Sequence, residues 1–121
     1  MKRYDPLSRL CRATRFSLNG LFRALKEEQA FEYEAVVLAV LFAAVLWARL
    51  SPPEALALIG GWLAVMALEL VNSAVERAFD LISEERNPKI GTGKDMLSAA
   101  IFLAILFNIA LWVFLLGPSG P

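Results

Sequence analysis

A run of 21 residues from Met96 to Leu116 has no charged side chain, and this run restricts the possible folds more than any other feature of the chain. A helix of about 20 apolar residues is long enough to cross the hydrocarbon core of a bilayer. We therefore predict a transmembrane helix over residues 95–117.

Two further apolar segments precede this one. The first contains "AVVLAVLFAAVLWA", and the second begins after "SPPE" with "ALALIGGWLAVMALEL". Pro52 and Pro53 between them forbid one continuous helix. The chain of 121 residues is 58% hydrophobic, more than a soluble domain of this size would be. We predict an all-α membrane protein with transmembrane helices over 31–50, 54–82 and 95–117, in a single domain.

The N-terminal segment has a different pattern. Asp5 is a suitable N-cap with Pro6 at the first helical position, and leucines then recur at helical spacing opposite arginines. This pattern predicts an amphipathic helix over 5–27 that lies on an anionic membrane surface, with packing against soluble protein as the alternative. Residues 1–30 hold seven of the twelve Lys and Arg. The positive charge places the N-terminus and the loop 83–93 in the cytoplasm and the C-terminus outside.

A polar face follows the apolar part of the second span. Its members, within an arc of roughly 100° on a helix, are Glu69, Asn72, Ser73, Glu76 and Asp80. Asn and Ser bond well between membrane helices, and Asp80 can snorkel to the cytoplasmic surface. Neither explanation suits Glu69, which lies deeper, and a carboxylate at membrane depth costs several kcal/mol. The position predicts a functional role for Glu69.

The composition limits the chemistry of any site. The chain has no His and a single Cys, so a general base must be a carboxylate and a metal must be a hard ion such as Mg²⁺. A second acidic cluster before the first span contains Glu27, Glu28, Glu32 and Glu34, most of them expected to be solvated. If one of them approached Glu76, the two carboxylates would form a divalent-metal site.

The segment "IGTGKDM" lacks the spacing of a Walker A motif. Its glycines, Lys94 and a helix predicted to begin near Asp95 suit a phosphate group, although a flexible loop with an interfacial lysine is an equal explanation.

The combination of these features is more specific than any one of them. The chain has a basic surface helix, Glu28, a first span, a proline hairpin, the pattern "ELVNSAVERAFD" at 69–80 and "KDM" at 94–96 before the last span. From about Arg9 to Trp112 it closely resembles the integral-membrane prokaryotic diacylglycerol kinase family.

The resemblance implies a homotrimer in the bacterial cytoplasmic (inner) membrane that phosphorylates diacylglycerol with ATP and Mg²⁺, with no nucleic-acid partner. It makes Glu69 the general base, Glu28 and Glu76 the metal ligands, and Asn72 and Asp80 supporting residues. The implied ATP-binding positions are Arg9, Phe16, Glu28, Glu76, Glu85, Arg86, Asn87, Lys94 and Asp95. The implied lipid positions are Arg9, Ala30, Phe31, Glu32, Tyr33, Glu34, Trp47, Glu69, Ser98 and Trp112.

The sequence departs from the family pattern in places. Phe16 stands where relatives often have Tyr, and Arg86 and Asn87 replace a Tyr-His type loop. Undecaprenol kinase is the alternative within the family, although Ser98 looks more like the diacylglycerol branch. Outside it, an oligomeric ion or proton pathway lined by Glu69 and Asn72 would explain the buried carboxylate but not Lys94 and Asp95.

Overall fold

The computed structural model describes residues 5–82, 85 and 87–118. Over these residues the chain forms four helices: α1 (Pro6–Glu27), α2 (Gln29–Ala48), α3 (Pro52–Ile82) and α4 (Pro88–Leu116). By length and composition, α2, α3 and α4 are each long and apolar enough to cross a membrane. The prediction of an all-α membrane protein is confirmed.

Helix α1 is amphipathic and lies almost entirely at the surface. Asp5 is its N-cap residue and Pro6 is its first helical residue. The Asp5 side chain makes no capping hydrogen bond, but the Ser8 hydroxyl donates to the Asp5 carbonyl at 2.8 Å. Along α1 the one buried residue is Ala24. Its large apolar side chains are therefore exposed in the single chain, as an interfacial helix requires.

The chain turns sharply twice before α3. Glu28 is extended between α1 and α2, with its N–H still donating to the Ala24 carbonyl at 2.9 Å. Arg49 adopts the left-handed conformation (φ 52°, ψ 48°) and ends α2. Ser51 and Glu54 then form a capping box: the Ser51 N–H and hydroxyl both donate to Glu54 Oε1, at 3.1 and 2.6 Å. Pro52 is the first residue of α3, so the chain reverses direction between α2 and α3 within residues 49–51.

Helix α4 begins seven residues before the predicted start at residue 95. Asn87 is its N-cap, and the Asn87 side chain accepts a hydrogen bond from the Lys89 N–H at 2.9 Å. Pro88 is the first helical residue, where its fixed φ favours a helix start. The prediction of a loop through Gly93 is therefore wrong for residues 88–93, because this Asn-Pro start outweighs the two glycines.

The core is small and lies between α3 and its two neighbours. The fully buried apolar side chains are Leu58 and Val65 of α3, and Phe31 and Leu41 of α2 pack against the same cluster. Many of the large apolar side chains outside this cluster are exposed, and Trp47, for example, is 87% exposed. This distribution suits helices whose outer surfaces face lipid.

Trp62 joins all three long helices. Its indole Nε1 donates to the backbone carbonyl of Glu34 on α2 at 2.8 Å. Its ring packs against Trp112 of α4, with 5.4 Å between the ring centroids and 48° between the planes. Trp62 therefore holds α2 at the level where Glu34 faces α3.

We expect Trp62→Phe to lower the free energy of unfolding by about 1 kcal/mol, because the ring contact is largely kept while one buried hydrogen bond is lost. Unfolding by sodium dodecyl sulfate in mixed micelles, followed by circular dichroism, measures this change. Trp47→Phe is the matched control at an exposed tryptophan and should be nearly neutral. An equal loss in both variants would show that the hydrogen bond from Trp62 to the Glu34 carbonyl contributes nothing to the free energy of unfolding.

Candidate active site

The polar face predicted on the second span is formed by α3. Glu69, Asn72 and Ser73 are buried, Glu76 is half-buried and Asp80 is exposed. Polarity and exposure thus increase together toward the end of the helix. Asp80 reaches the surface as a snorkelling residue would, whereas Glu69 stays in the interior.

Glu69 lies beside a second carboxyl group. Glu34 of α2 and Glu69 of α3 are each only 8% exposed, and their carboxyl groups lie close enough to interact with each other. The Asn72 amide donates to Glu69 Oε1 at 3.5 Å. Among the described residues, four buried side-chain polar atoms have no hydrogen-bond partner, and two of them, Glu34 Oε1 and Asn72 Oδ1, lie at this site; the other two are Asn108 Oδ1 and Trp112 Nε1. The site therefore presents acceptor oxygens that a hydroxyl or ammonium donor would satisfy.

The family resemblance implied Glu34 as a lipid position, but the sequence pattern gave no contact between Glu34 and Glu69. Most of the acidic cluster before the first span was expected to be solvated, and Glu34 is its buried member. The signal was present in the spacing, because Phe31, Glu34 and Leu41 fall on one face of α2 at i, i+3 and i+10. The apolar members of this face are buried, and Glu34 is buried with them.

Glu28 lies between α1 and α2 and bonds to α3. Arg77 Nη2 donates to Glu28 Oε1 at 3.0 Å and to Glu27 Oε2 at 2.7 Å. The hydrogen bond from Arg77 and its positive charge hold the pKa of Glu27 below its ordinary value. Glu28 and Glu76 both lie within electrostatic range of Glu69. Four carboxyl groups and one arginine therefore converge where α1, α2 and α3 meet.

The donor set fits a metal ion carried by a nucleotide better than a metal held by protein alone. Within the described part of the chain, no group of three or more His, Cys, Asp or Glu residues is placed to hold a metal ion. Glu28 and Glu76 would supply two carboxylates, and phosphate oxygens and water would complete the coordination. Mg²⁺ is bound in this way at many phosphoryl-transfer sites.

The predicted phosphate-contacting pair, Lys94 and Asp95, lies about two turns into α4 and not at its N-terminus, because the helix begins at Pro88. Lys94 Nζ donates to Asp80 Oδ1 at 3.3 Å, so the lysine is held against the end of the polar face. Asp95 is exposed beside it. Gly93 packs against the Phe79 ring: a Cβ built there would lie 2.8 Å from Phe79 Cζ. The start of α4 and the end of α3 are thereby kept close together.

The remaining predicted nucleotide positions are scattered in the single chain. Arg9 and Phe16 are exposed on α1, Glu85 is exposed between α3 and α4, and Asn87 caps α4 with its side chain. Arg86 lies outside the described residues. Among the described residues, no observed hydrogen bond or ion pair joins Arg9, Phe16 or Asn87 to these carboxyl groups.

The predicted lipid positions divide in the same way. Phe31 is a core residue, and Trp112 is half-buried against Trp62. The exposed members are Ala30, Glu32, Tyr33, Trp47 and Ser98. Trp47 is 13 residues after Glu34 on α2, about 20 Å along the helix. Of the predicted lipid positions, only Glu34 and Glu69 have carboxyl groups that interact with each other.

A groove of about 530 Å³ opens between α1 and α3 beside this cluster. Its polar lining includes Ser17, Arg23, Glu28, Ser73 and Arg77, and the rest is apolar. Neither this groove nor the ion pairs of Arg77 with Glu27 and Glu28 was predicted from the sequence. The position of Arg77, directly after Glu76 on the polar side of α3, was the signal that could have indicated them.

Three candidate membrane spans and a buried carboxyl pair beside further charged groups define a helical membrane protein with a candidate acid–base site. Comparison of the sequence with protein families makes this class specific. The family described as prokaryotic diacylglycerol kinase matches residues 15–116. The chain belongs to the prokaryotic diacylglycerol kinase family and is therefore a lipid kinase.

Individual relatives agree over most of the chain. The diacylglycerol kinase of Haemophilus influenzae is 38% identical over 112 residues, which cover 93% of this chain and 95% of that protein. The diacylglycerol kinase of Escherichia coli K12 is 37% identical over 111 residues, covering 90% and 89%. That of Pseudomonas aeruginosa is 34% identical over 110 residues, covering 91% and 89%. The resemblance stated from the sequence is confirmed.

Proposed function

We propose that this protein transfers the γ-phosphoryl group of ATP to the free hydroxyl of diacylglycerol and so forms phosphatidic acid. The observation that carries the proposal is the buried Glu34–Glu69 pair of α2 and α3, two helices apolar enough to span a membrane, in which Glu34 Oε1 has no hydrogen-bond donor. A hydroxyl entering from the bilayer supplies the missing donor. The names of the three relatives support diacylglycerol as the lipid.

In this mechanism Glu69 is the general base. The lipid O–H bond breaks as its proton passes to Glu69, the lipid oxygen forms a bond to the γ-phosphorus, and the bond from that phosphorus to the ADP oxygen breaks. Asn72 orients the Glu69 carboxylate through its amide. Glu34 approaches the same carboxyl group from α2 and helps to fix its position.

Glu28 and Glu76 hold the Mg²⁺ that accompanies ATP. When bound, the metal neutralises charge on the phosphate oxygens. Lys94, kept near α3 by Asp80, adds positive charge for the phosphates, and Asp95 lies beside it. Arg9, Phe16, Glu85, Arg86 and Asn87 complete the nucleotide site as the family resemblance implies.

The distribution of positive charge supports a particular orientation in the membrane. The basic α1 and the segment between α3 and α4 lie on the cytoplasmic side of the bacterial inner membrane, where ATP is available, and the C-terminus is periplasmic. We infer a homotrimer, as the family resemblance implies, in which neighbouring chains bring the predicted nucleotide and lipid positions together. The lipid then contacts Ala30 to Glu34, Trp47, Ser98 and Trp112.

The decisive experiment supplies γ-labelled ATP and Mg²⁺ to the purified protein in detergent–lipid micelles that contain diacylglycerol, and separately undecaprenol. We expect label in phosphatidic acid. Label in the polyprenol alone would retain the mechanism and replace the substrate. Transfer to neither by folded protein would contradict the proposal and favour an ion pathway lined by Glu69 and Asn72.

A further inference from the structure

Arg77 occupies an unusual place for a basic residue in this site. It directly follows Glu76, one proposed metal ligand, and its Nη2 atom lies 3.0 Å from Oε1 of Glu28, the other. Side-chain exposure of 53% leaves the guanidinium open to solutes, and it lines the groove between α1 and α3. A metal ion that binds Glu28 would meet this guanidinium in its immediate surroundings.

Binding of a metal ion would affect Glu28 and Glu27, the two partners of Arg77, differently. Glu28 has a proposed role in binding the metal, so the guanidinium and the metal ion compete for its oxygens. Glu27 has no such role and holds Arg77 at 2.7 Å. If the bond to Glu28 were exchanged for a metal bond, Glu27 would still keep the guanidinium at the site.

The guanidinium has donors to offer a phosphate group. Both observed bonds use Nη2, so the N–H groups on Nη1 and Nε take no part in them. Arginine matches the geometry of phosphate oxygens and binds them with charge-assisted, often paired, hydrogen bonds. The acidic groups around it would otherwise repel a nucleotide, and a nearby positive charge offsets that repulsion.

We propose that Arg77 is a phosphate-binding residue of the nucleotide site, held in place by Glu27 and released from Glu28 when the metal–nucleotide complex binds. This inference rests on the proposed function. It adds a residue that the sequence analysis did not assign, and it predicts opposite effects of one substitution on two ligands.

The first measurement is equilibrium binding of a fluorescent, non-hydrolysable ATP analogue with Mg²⁺ present, so that no turnover is needed. We expect Arg77→Gln to weaken binding about tenfold or more, as the loss of charge-assisted hydrogen bonds predicts. Arg77→Lys should recover part of the loss, because it keeps the charge without the planar group. Arg49→Gln removes an arginine at the α2–α3 turn and should change nothing.

The second measurement is binding of Mn²⁺, as a spectroscopic substitute for Mg²⁺, by electron paramagnetic resonance without nucleotide. Arg77→Gln should bind Mn²⁺ more tightly than wild type, because the competing guanidinium is gone. Weaker nucleotide binding together with tighter metal binding supports the proposal, since a merely structural defect would weaken both.

Two results would overturn it. If Arg77→Gln binds the analogue as tightly as wild type while wild type transfers phosphate, Arg77 does not bind phosphate and the proposed function stands. If wild type neither binds the analogue nor transfers phosphate, the proposed function and this inference fail together. Folding of each variant is verified by circular dichroism in the same micelles.

Discussion

Replacing Glu69 with Gln is expected to reduce phosphoryl transfer to diacylglycerol by a factor of about 100 to 10,000, the usual contribution of a general base. The substitution keeps the size of the side chain and its contact with Asn72, so it removes little except the ability to accept a proton. In the proposed mechanism the base acts on the lipid hydroxyl, so the loss should fall mainly on kcat, with the KM for ATP nearly unchanged.

The measurement is the initial rate of label transfer from γ-labelled ATP in mixed micelles, at saturating diacylglycerol. Glu54→Gln is the matched control, because Glu54 is a carboxylate of the same helix that caps α3 at its other end. It should retain full activity with, at most, a small loss of stability. Full activity of Glu69→Gln in folded protein would remove Glu69 from the role of base.

Much of this architecture could be predicted from the sequence because its signals are local. The charge-free run that becomes α4, the prolines between α2 and α3, and the polar face of α3 each depend on residues close together in the chain. A carboxylate such as Glu69 stands out in an apolar span, because burying it in a membrane costs free energy. The family motif then supplied roles for residues that pattern alone would leave without one.

The parts that the sequence did not reveal depend on pairing between distant residues. Glu34 is buried where α2 packs against α3 and there faces Glu69, 35 positions away in the sequence. Trp62 fixes the level of this contact by bonding the Glu34 carbonyl. Arg77 reaches back to Glu27 and Glu28 across the α1–α2 break. Helical spacing shows which face a residue occupies and does not show which residue lies opposite.

The contact of α3 with α4 is another such pairing, and it involves two adjacent glycines that differ in their surroundings. A Cβ built on Gly61 would lie 2.8 Å from Asn108 Oδ1 and 3.4 Å from Leu111 Cδ2. A Cβ built on Gly60 would have no atom within 4 Å among the described residues. Asn108 is 1% exposed and held by two bonds from its amide, to the Gly61 carbonyl at 3.0 Å and the Ala104 carbonyl at 2.8 Å.

Gly61→Ala is therefore expected to lower the free energy of unfolding by about 1 to 3 kcal/mol, the usual cost of forcing atoms into a packed interior. Asn108 cannot move away without breaking its two hydrogen bonds. Gly60→Ala should be neutral or stabilising by up to about 1 kcal/mol, because alanine favours the helix and meets no neighbour. Sodium dodecyl sulfate unfolding in mixed micelles, followed by circular dichroism, distinguishes the two.

A double-mutant cycle tests whether the contact with Asn108 is the cause. Asn108→Ala alone should cost about 0.6 kcal/mol, typical of a hydrogen-bonding side chain between membrane helices. It also removes the atom nearest to the new methyl group and leaves only the ordinary contact with Leu111. Gly61→Ala should therefore cost little in the Asn108→Ala background. If its cost were the same in both backgrounds, the contact with Asn108 would not be the cause, and the destabilisation would arise from Leu111 or from α3 itself.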